Sequence, residues 1–237
     1  MTETSNVNSK AKAQLEASGP VGAQLYARLR LRIIQGELEP GTRLSEVDVA
    51  SYFDTSRQPV REAFIKLSEA GLIDIRPQRG SFVSRIDMAS VLAAQFIREA
   101  VEADIVRAVA TRADAQMLAE LDEILALQRN AAETDNPQPF IDLDEAFHRK
   151  LADIAGQGAG WDFLQPLKSQ MDRVRHLSAS QFPRNILVEQ HTQIVDAIKA
   201  GNPGGAEEKM RLHLRRILDD VPVVAAAKPA FFIAEPS

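Results

Sequence analysis

Hydrophobic residues along this chain recur mostly at helical spacing, and one short stretch of strand-like alternation interrupts them. The first helix is predicted from Pro20 to Gly36. Its apolar stripe consists of Leu25, Leu29, Ile33 and Ile34. A second, short helix is predicted over Leu44–Phe53, with Ser45 as its N-cap, because a serine side chain can accept a hydrogen bond from an unpaired first-turn N–H group.

The third helix, within Thr55–Lys66, follows a tight polar turn and carries a polar N-terminus. Val60, Phe64 and Leu67 share its inner face. The outer residues of its beginning are Ser56, which we predict as the N-cap, and Arg57, Gln58 and Arg61. Two helices joined by such a turn predict a helix-turn-helix, whose second helix meets base edges and phosphates with its N-terminal side chains.

A two-stranded hairpin is predicted directly after this helix. Leu72–Arg76 alternates as a strand, Pro77–Gly80 reads as a turn, and Ser81–Ser84 returns. Arg79 lies at the tip. The order of helix, tight turn, arginine-bearing helix and basic hairpin predicts a winged helix-turn-helix.

From Met88 to Asp220 every periodic segment is helical. We predict helices at about 88–110, 114–131, 137–155, 161–180, 185–200 and 203–219, separated by glycine and proline. The fold class is therefore mainly α, an N-terminal winged helix-turn-helix followed by an all-helical antiparallel bundle. The predicted division is a disordered tail at 1–18, a winged-helix DNA-binding domain at 19–86, a helical domain at 87–220, and a C-terminal tail at 221–237 whose prolines disfavour a long helix.

Charge is distributed unevenly between the two predicted domains. The chain has a net charge of −5, but residues 20–86 hold ten basic against eight acidic residues, whereas residues 87–220 hold fifteen against twenty-two. Only the first domain should therefore approach a nucleic acid. The chain has no cysteine, which excludes disulfides and thiolate metal sites, and no apolar run or signal pattern, so we expect a cytoplasmic protein without membrane association.

Four polar residues lie on apolar faces of the predicted bundle: Asp144, His148, His191 and His213. A buried carboxylate is costly unless a cation meets it, and an Asp and a His four apart on one helix suit a divalent metal. The alternative is that each histidine is an ordinary hydrogen-bonded core residue. The remaining histidine, His176, falls opposite its helix's apolar stripe and is predicted to lie at the surface.

Three segments resemble a known family. "EPGTRLSEVDVA", "TSRQPVREAFIKLSEAGLI" and "RPQRGSFV" are similar to the winged-helix domain of GntR-family bacterial transcriptional regulators. The resemblance implies that Arg57 and Arg61 read a half-site and hold phosphate, and that Arg79 and Gly80 enter the minor groove.

The bundle resembles the FCD ligand-sensing domain of the FadR-type subfamily, in its metal-binding version. Asp144, His148, His191 and His213 match that domain's ligand positions, which implies a divalent transition ion, zinc or nickel, with a small carboxylate beside it. Arg98 and Arg175 are candidate anchors for the carboxylate, because a guanidinium can hold it through two hydrogen bonds. For Arg98, an internal ion pair with Glu102 is the alternative.

Together these features predict a sequence-specific transcriptional regulator, a repressor, that binds an inverted-repeat operator in double-stranded DNA as a homodimer. A small organic acid bound at the metal site would control its DNA affinity. Two other classes stay open: a metal-dependent hydrolase, which would need a general base beside the metal for which no residue stands out and Glu102 is left as a candidate, and an architectural DNA-binding protein with a purely structural metal. Of these, we expect a regulator and not an enzyme.

Overall fold

The computed structural model describes Leu15 and residues 19–234, and within it the chain forms two compact units. Unit 1 combines Met1–Met88 with Lys228–Ser237, and unit 2 is Ala89–Ala227. The disorder predicted for residues 1–18 lies outside the described residues, Leu15 excepted.

Unit 1 is a winged helix-turn-helix, as predicted. Its elements are α1 (Val21–Ile34), β1 (Arg43–Leu44), α2 (Glu46–Tyr52), α3 (Arg57–Glu69), β2 (Ile73–Arg76) and β3 (Gly80–Val83). The three strands form an antiparallel sheet in the order β1-β3-β2. Strand β1 was not predicted, because a two-residue strand is too short to show alternation.

The two N-cap predictions for unit 1 have different outcomes. The Oγ of Ser45 accepts a hydrogen bond from the backbone N–H of Asp48 at 3.3 Å. Ser56 is the N-cap residue of α3, but its side chain makes no capping bond. The reason is Pro59, which occupies the third helical position and has no N–H to donate. The exposed hydroxyl of Ser56 is not used by its own helix.

The C-terminal segment, which the sequence could not place, is part of unit 1. The N–H of Ile86 donates to the carbonyl of Phe231 at 2.7 Å, and the N–H of Ile233 donates to the carbonyl of Ile86 at 3.0 Å. These bonds form a parallel bridge between Ile86 and Phe232, and both side chains are buried. The segment after Lys228 is therefore a structural element of unit 1.

Unit 2 contains seven helices in the described residues: α4 (Met88–Arg112, whose first residue belongs to unit 1), α5 (Ala115–Ala132), α6 (Gln138–Ile154), α7 (Gly158–Leu167), α8 (Ser169–Ala179), α9 (Asn185–Lys199) and α10 (Pro203–Ala227). Its largest buried cluster is aliphatic and aromatic, centred on Ile105, Phe147, Trp161 and Ile194. None of the helices in the described part of the chain combines the length and apolar composition needed to cross a membrane.

Two helix boundaries differ from the prediction, both near prolines. The single helix expected at 161–180 is divided at Lys168, two residues after Pro166, which cannot donate an intrahelical hydrogen bond. In contrast, α10 continues through Pro222 to Ala227 instead of ending near residue 219. Val221 and Val224 on either side of this proline are buried, and their burial offsets the lost bond.

Substitution of a buried and of an exposed leucine in α1 tests how this helix packs in the core of unit 1. Leu29 is fully buried and Leu31 is 44% exposed. We expect Leu29→Ala to lower the free energy of unfolding of unit 1 by about 2–5 kcal/mol, because the substitution removes buried methyl groups and leaves a cavity. The matched variant Leu31→Ala should stay within about 0.5 kcal/mol of wild type. Calorimetric unfolding measures both changes, and equal effects would contradict the assigned packing of α1.

Candidate metal centre, ligand cavity and DNA-binding surface

Four buried side chains from three helices converge in unit 2: Asp144 and His148 from α6, His191 from α9 and His213 from α10. One potential ligand atom from each lies within 4.8 Å of all the others. On α6 the two residues are four apart, which places them one turn from each other on the same face. The sequence prediction that these four residues share a site is consistent with this geometry.

Distances between the ligand atoms fit coordination of one ion. Nε2 of His213 lies 3.1 Å from Nε2 of His191 and 3.2 Å from Nε2 of His148. The oxygens of Asp144 lie 3.6 Å from Nε2 of His191 and 3.9 Å from Nε2 of His148. Ligands about 2.0–2.1 Å from a tetrahedral zinc ion are separated by about 3.3 Å, so the set needs only small adjustments.

In each imidazole, the Nδ1 atom contacts a side-chain oxygen of another residue, while Nε2 faces the other ligand atoms. Nδ1 of His148 lies 2.5 Å from Oε2 of Glu102, a contact whose angle is outside hydrogen-bond geometry. Nδ1 of His191 lies 2.8 Å from Oε1 of Gln128, and Nδ1 of His213 lies 3.0 Å from Oε1 of Gln190. The Gln128 amide is oriented independently, because its Nε2 donates to the carbonyl of Leu143 at 3.0 Å. An oxygen acceptor at Nδ1 requires the proton there and leaves a lone pair on Nε2.

Burial keeps the three rings neutral. It lowers the pKa of His148, an effect that the carboxylate of Glu102 partly opposes. Burial, together with the neighbouring histidines and arginines, lowers the pKa values of His191 and His213 well below the usual range. Three lone pairs and a carboxylate oxygen thus converge in a buried region of unit 2. Such an arrangement is unfavourable unless a cation lies between them.

Glu102 is fixed between two partners. It receives a short hydrogen bond from Nε of Arg98 and contacts Nδ1 of His148. Burial alone would raise the pKa of Glu102, but the charge of Arg98 and the contact with the His148 ring outweigh burial and lower the pKa to about 2. A carboxylate held in this way orients His148 and is not positioned to deprotonate water, which argues against the general base of the hydrolase alternative.

Both candidate anchor arginines line a cavity that reaches the metal-ligand set. Arg98 and Arg175 share this lining with Asp144 and His213. Arg98 forms its ion pair with Glu102, yet its Nη2 is buried without a hydrogen-bond partner. Arg175 donates to Asp144. Burial, with a contribution from the Arg98 charge, lowers the pKa of Arg175 to about 9, so it remains charged at neutral pH.

His176 lies outside this group, as predicted, but it is not a surface residue. It is half-buried on α8, and burial lowers its pKa. The prediction of exposure was wrong because helical spacing shows which face is apolar and does not show how neighbouring helices cover the sides.

On unit 1, the candidate DNA-binding residues of α3 are exposed: Ser56, Arg57, Gln58 and Arg61. A guanidinium nitrogen of Arg57 lies 3.0 Å from a carboxylate oxygen of Glu46 on α2. An exposed ion pair contributes at most about 1 kcal/mol, less than the roughly 1–3 kcal/mol of a bidentate base contact, so this pair does not prevent Arg57 from binding DNA.

Arg79 is exposed in the turn between β2 and β3. Its N–H donates to the carbonyl of Arg76, and the turn places Gln78 and Gly80 at positive φ, +62° and +105°. At Gly80 a side chain would be strained by the φ value and would also approach Nε of Arg43 to 3.1 Å. Gly80 therefore shapes the turn that presents Arg79.

Several residues of the site were not predicted from the sequence. Gln128 and Gln190 hold two of the imidazoles, and Ser178 and Asp220 line the cavity. A signal existed for two of them. Gln128 continues the buried face of Leu121 and Leu125 on α5, and Asp220 continues that of His213 and Ile217 on α10.

Comparison with protein families accounts for both units. Residues 22–83 match the model described as "Bacterial regulatory proteins, gntR family", and residues 94–216 match the FCD domain. Among individual relatives, the "HTH-type transcriptional repressor RspR" of Escherichia coli is 40% identical over 225 residues, covering 94% of this chain and 99% of that repressor. A Streptomyces ambofaciens regulator, "Uncharacterized HTH-type transcriptional regulator in unstable DNA locus", is 37% identical, covering 89% of both chains.

Solved structures agree with the fold. A putative GntR transcriptional regulator from Rhodococcus superposes with a TM-score of 0.70 at 26% identity, covering 86% of this chain and 98% of that one. E. coli McbR/YncC gives a TM-score of 0.74 at 19% identity, covering 89% and 99%, and supports the fold alone. The chain therefore belongs to the GntR family of bacterial transcriptional regulators, carries an FCD domain, and is a DNA-binding regulator and not an enzyme.

Proposed function

We propose that this regulator is a repressor whose operator affinity is controlled by a small organic acid bound at a metal centre in unit 2. One observation carries the proposal. The three imidazole lone pairs and Asp144 converge beside a cavity in which the buried Nη2 of Arg98 has no hydrogen-bond partner. A cation would bind the imidazole lone pairs and the Asp144 carboxylate. An anion would accept a hydrogen bond from Nη2 of Arg98.

The metal would be a divalent transition ion, zinc or nickel, held by Asp144, His148, His191 and His213. Imidazole nitrogen and carboxylate oxygen are suitable ligands for both ions. The chain has no cysteine, so no thiolate is present that would favour a softer metal ion. When bound, the ion supplies a Lewis-acidic position for an oxygen ligand. Glu102, Gln128 and Gln190 keep the imidazole rings in the required tautomer and orientation.

The acid would place its carboxylate between the metal position and the two arginines. Arg98 offers the unpaired Nη2, and Arg175, although it contacts Asp144, lines the same cavity. Buried charge-assisted hydrogen bonds are strong because little water competes for them. This arrangement makes the ion pair of Arg98 with Glu102 compatible with ligand binding, because the pair uses Nε and leaves Nη2 available.

The DNA would be a double-stranded operator with inverted half-sites, bound by a homodimer in the cytoplasm. Arg57 and Arg61 would read bases and hold phosphate in the major groove, with Ser56 and Gln58 beside them. Arg79, presented by the turn at Gly80, would reach the minor groove. A two-fold protein reads a two-fold site. The E. coli relative RspR is named a transcriptional repressor, and this supports repression as the direction of control.

The DNA surface is tested with Arg57→Ala and Arg61→Ala. We expect each to weaken binding to an operator fragment, obtained by in vitro selection with the wild type, by about 1–3 kcal/mol at fixed salt. Arg79→Ala should weaken binding less, and Arg129→Ala, an exposed arginine of α5, should leave it unchanged. Fluorescence anisotropy measures affinity, and circular dichroism checks the fold. Wild-type affinity in both α3 variants would refute this DNA surface.

The metal centre is tested by elemental analysis after dialysis. We expect about one divalent transition ion per chain in the wild type, lost in His148→Ala and in His191→Ala because each removes a ligand. His176→Ala serves as the control, since this half-buried histidine lies outside the ligand set. Equal metal content in all three variants would make the histidines ordinary core residues.

Coupling between acid and operator is tested by calorimetric titration. The acid comes from a thermal-shift screen of small carboxylic acids, in which a ligand at 100 times its dissociation constant adds about 2.7 kcal/mol to stability. We expect operator DNA to weaken acid binding by about 1–3 kcal/mol, and the acid to weaken operator binding by the same factor, because linkage is reciprocal. Asp144→Ala should abolish acid binding. Identical acid affinity with and without operator would favour the architectural alternative.

A further inference from the structure

The ligand cavity of unit 2 runs along three helices in a common direction away from the metal-ligand set. On α10 the lining residues His213, Ile217 and Asp220 follow one another at spacings of four and three. On α8 the lining passes from Arg175 to Ser178, and on α6 it passes from Asp144 to Phe140. Residues three or four apart on a helix are neighbours on one face. The cavity therefore has a first end at Arg175 and His213, where the carboxylate of the ligand would bind, and a second end one or two helical turns away.

The second end is polar. Oγ of Ser178 donates to Oδ2 of Asp220 at 2.6 Å, and Nε of Arg216 lies 3.3 Å from Oδ1 of the same carboxylate. Both Ser178 and Asp220 are buried, and Arg216 lines the cavity with them. A carboxylate oxygen can accept more than one hydrogen bond, so Asp220 has acceptor capacity left for a donor in the cavity.

The wall between the two ends is apolar. Phe140, Leu187, Leu214 and Ile217 line it, and three of them are buried. A ligand segment in this region gains by being hydrocarbon, because a hydroxyl placed against these side chains would lose its water without gaining a partner. The lining thus favours a ligand with polar groups at its two ends only.

Dimensions limit the length of the ligand. Seven residues separate His213 from Asp220, a rise of about 10.5 Å along α10. A metal–oxygen bond of about 2 Å and a hydrogen bond of about 2.8 Å leave about 5–6 Å between the terminal oxygens of the ligand. The cavity volume of about 70 Å³ holds about five to seven non-hydrogen atoms, if each needs about 10–15 Å³. An extended four-carbon acid with a terminal oxygen meets both limits.

We propose that Asp220 and Ser178 form a second subsite, which binds a terminal hydroxyl, and that the effector is a short unbranched acid hydroxylated at the end opposite its carboxylate. The inference rests on the proposed carboxylate site. A hydroxyl suits Asp220 because it donates without bringing charge. A second carboxylate would be repelled by Asp220, and an ammonium group would face the guanidinium groups of Arg216 and Arg184, which also lines the cavity.

Calorimetric titration of the zinc-loaded full chain tests this subsite. The probes are butanoate, 2-hydroxybutanoate, 4-hydroxybutanoate, 4-aminobutanoate and butanedioate. We expect 4-hydroxybutanoate to bind about tenfold more tightly than butanoate, because the added hydrogen bond is made to a charged group. In Asp220→Ala this preference should fall to about one, and circular dichroism checks that the variant is folded.

The exposed neighbour Asp219 gives a matched control, and Asp219→Ala should keep the tenfold preference. Equal binding of butanoate and 4-hydroxybutanoate by the wild type would overturn the hydroxyl subsite, as would a preference retained in Asp220→Ala. Tighter binding of the 2-hydroxy, amino or dicarboxylic compound would also overturn it. If none of the five acids binds, the carboxylate site itself is wrong, and the subsite falls with it.

Discussion

The contacts behind the three imidazoles are the constraint on which unit 2 depends. Each Nδ1 faces an oxygen from another residue, and these oxygens belong to Glu102, Gln128 and Gln190. Together with the histidines and Asp144, the contacts join α4, α5, α6, α9 and α10, five of the seven helices. Leaving any one of these buried polar groups without a partner costs about 1–3 kcal/mol, so the helices are fixed in register more strictly than aliphatic packing alone would require.

The charges at this centre are compatible with the proposed binding of both a metal and an acid. Arg98 and Arg175 carry positive charges, Glu102 and Asp144 carry negative charges, and each arginine contacts one of the carboxylates. Glu145, Asp172 and Lys168 form further ion pairs around Arg175, and all seven groups sum to a charge of −1, so a divalent ion leaves an excess of one positive charge in a buried cavity. An anionic ligand removes that excess, and the free Nη2 of Arg98 offers it a hydrogen bond.

The features predicted correctly from the sequence are those that depend on the spacing of apolar residues. Apolar spacing located the helices, and polar residues on apolar stripes identified Asp144, His148, His191 and His213 as one set before any fold was known. The contacts of Gln128 and Asp220 were not predictable in this way, because a single polar residue on a stripe does not reveal its partner. The end of α10 was also missed: local rules stop a helix near Pro222, and only the burial of Val221 and Val224 shows why it continues.

Chain connectivity links unit 2 to the DNA-binding unit at two points. One link is the start of α4, the helix that carries Arg98 and Glu102 and begins two residues after Ile86. The other is the end of α10, the helix that carries His213 and Asp220 and leads at Lys228 into the segment hydrogen-bonded to Ile86. Both helices therefore carry residues of the proposed site, and each is joined through the chain to a segment of unit 1 that includes or is hydrogen-bonded to Ile86. If acid binding changed the relative position of these two helices, both covalent links to unit 1 would be affected.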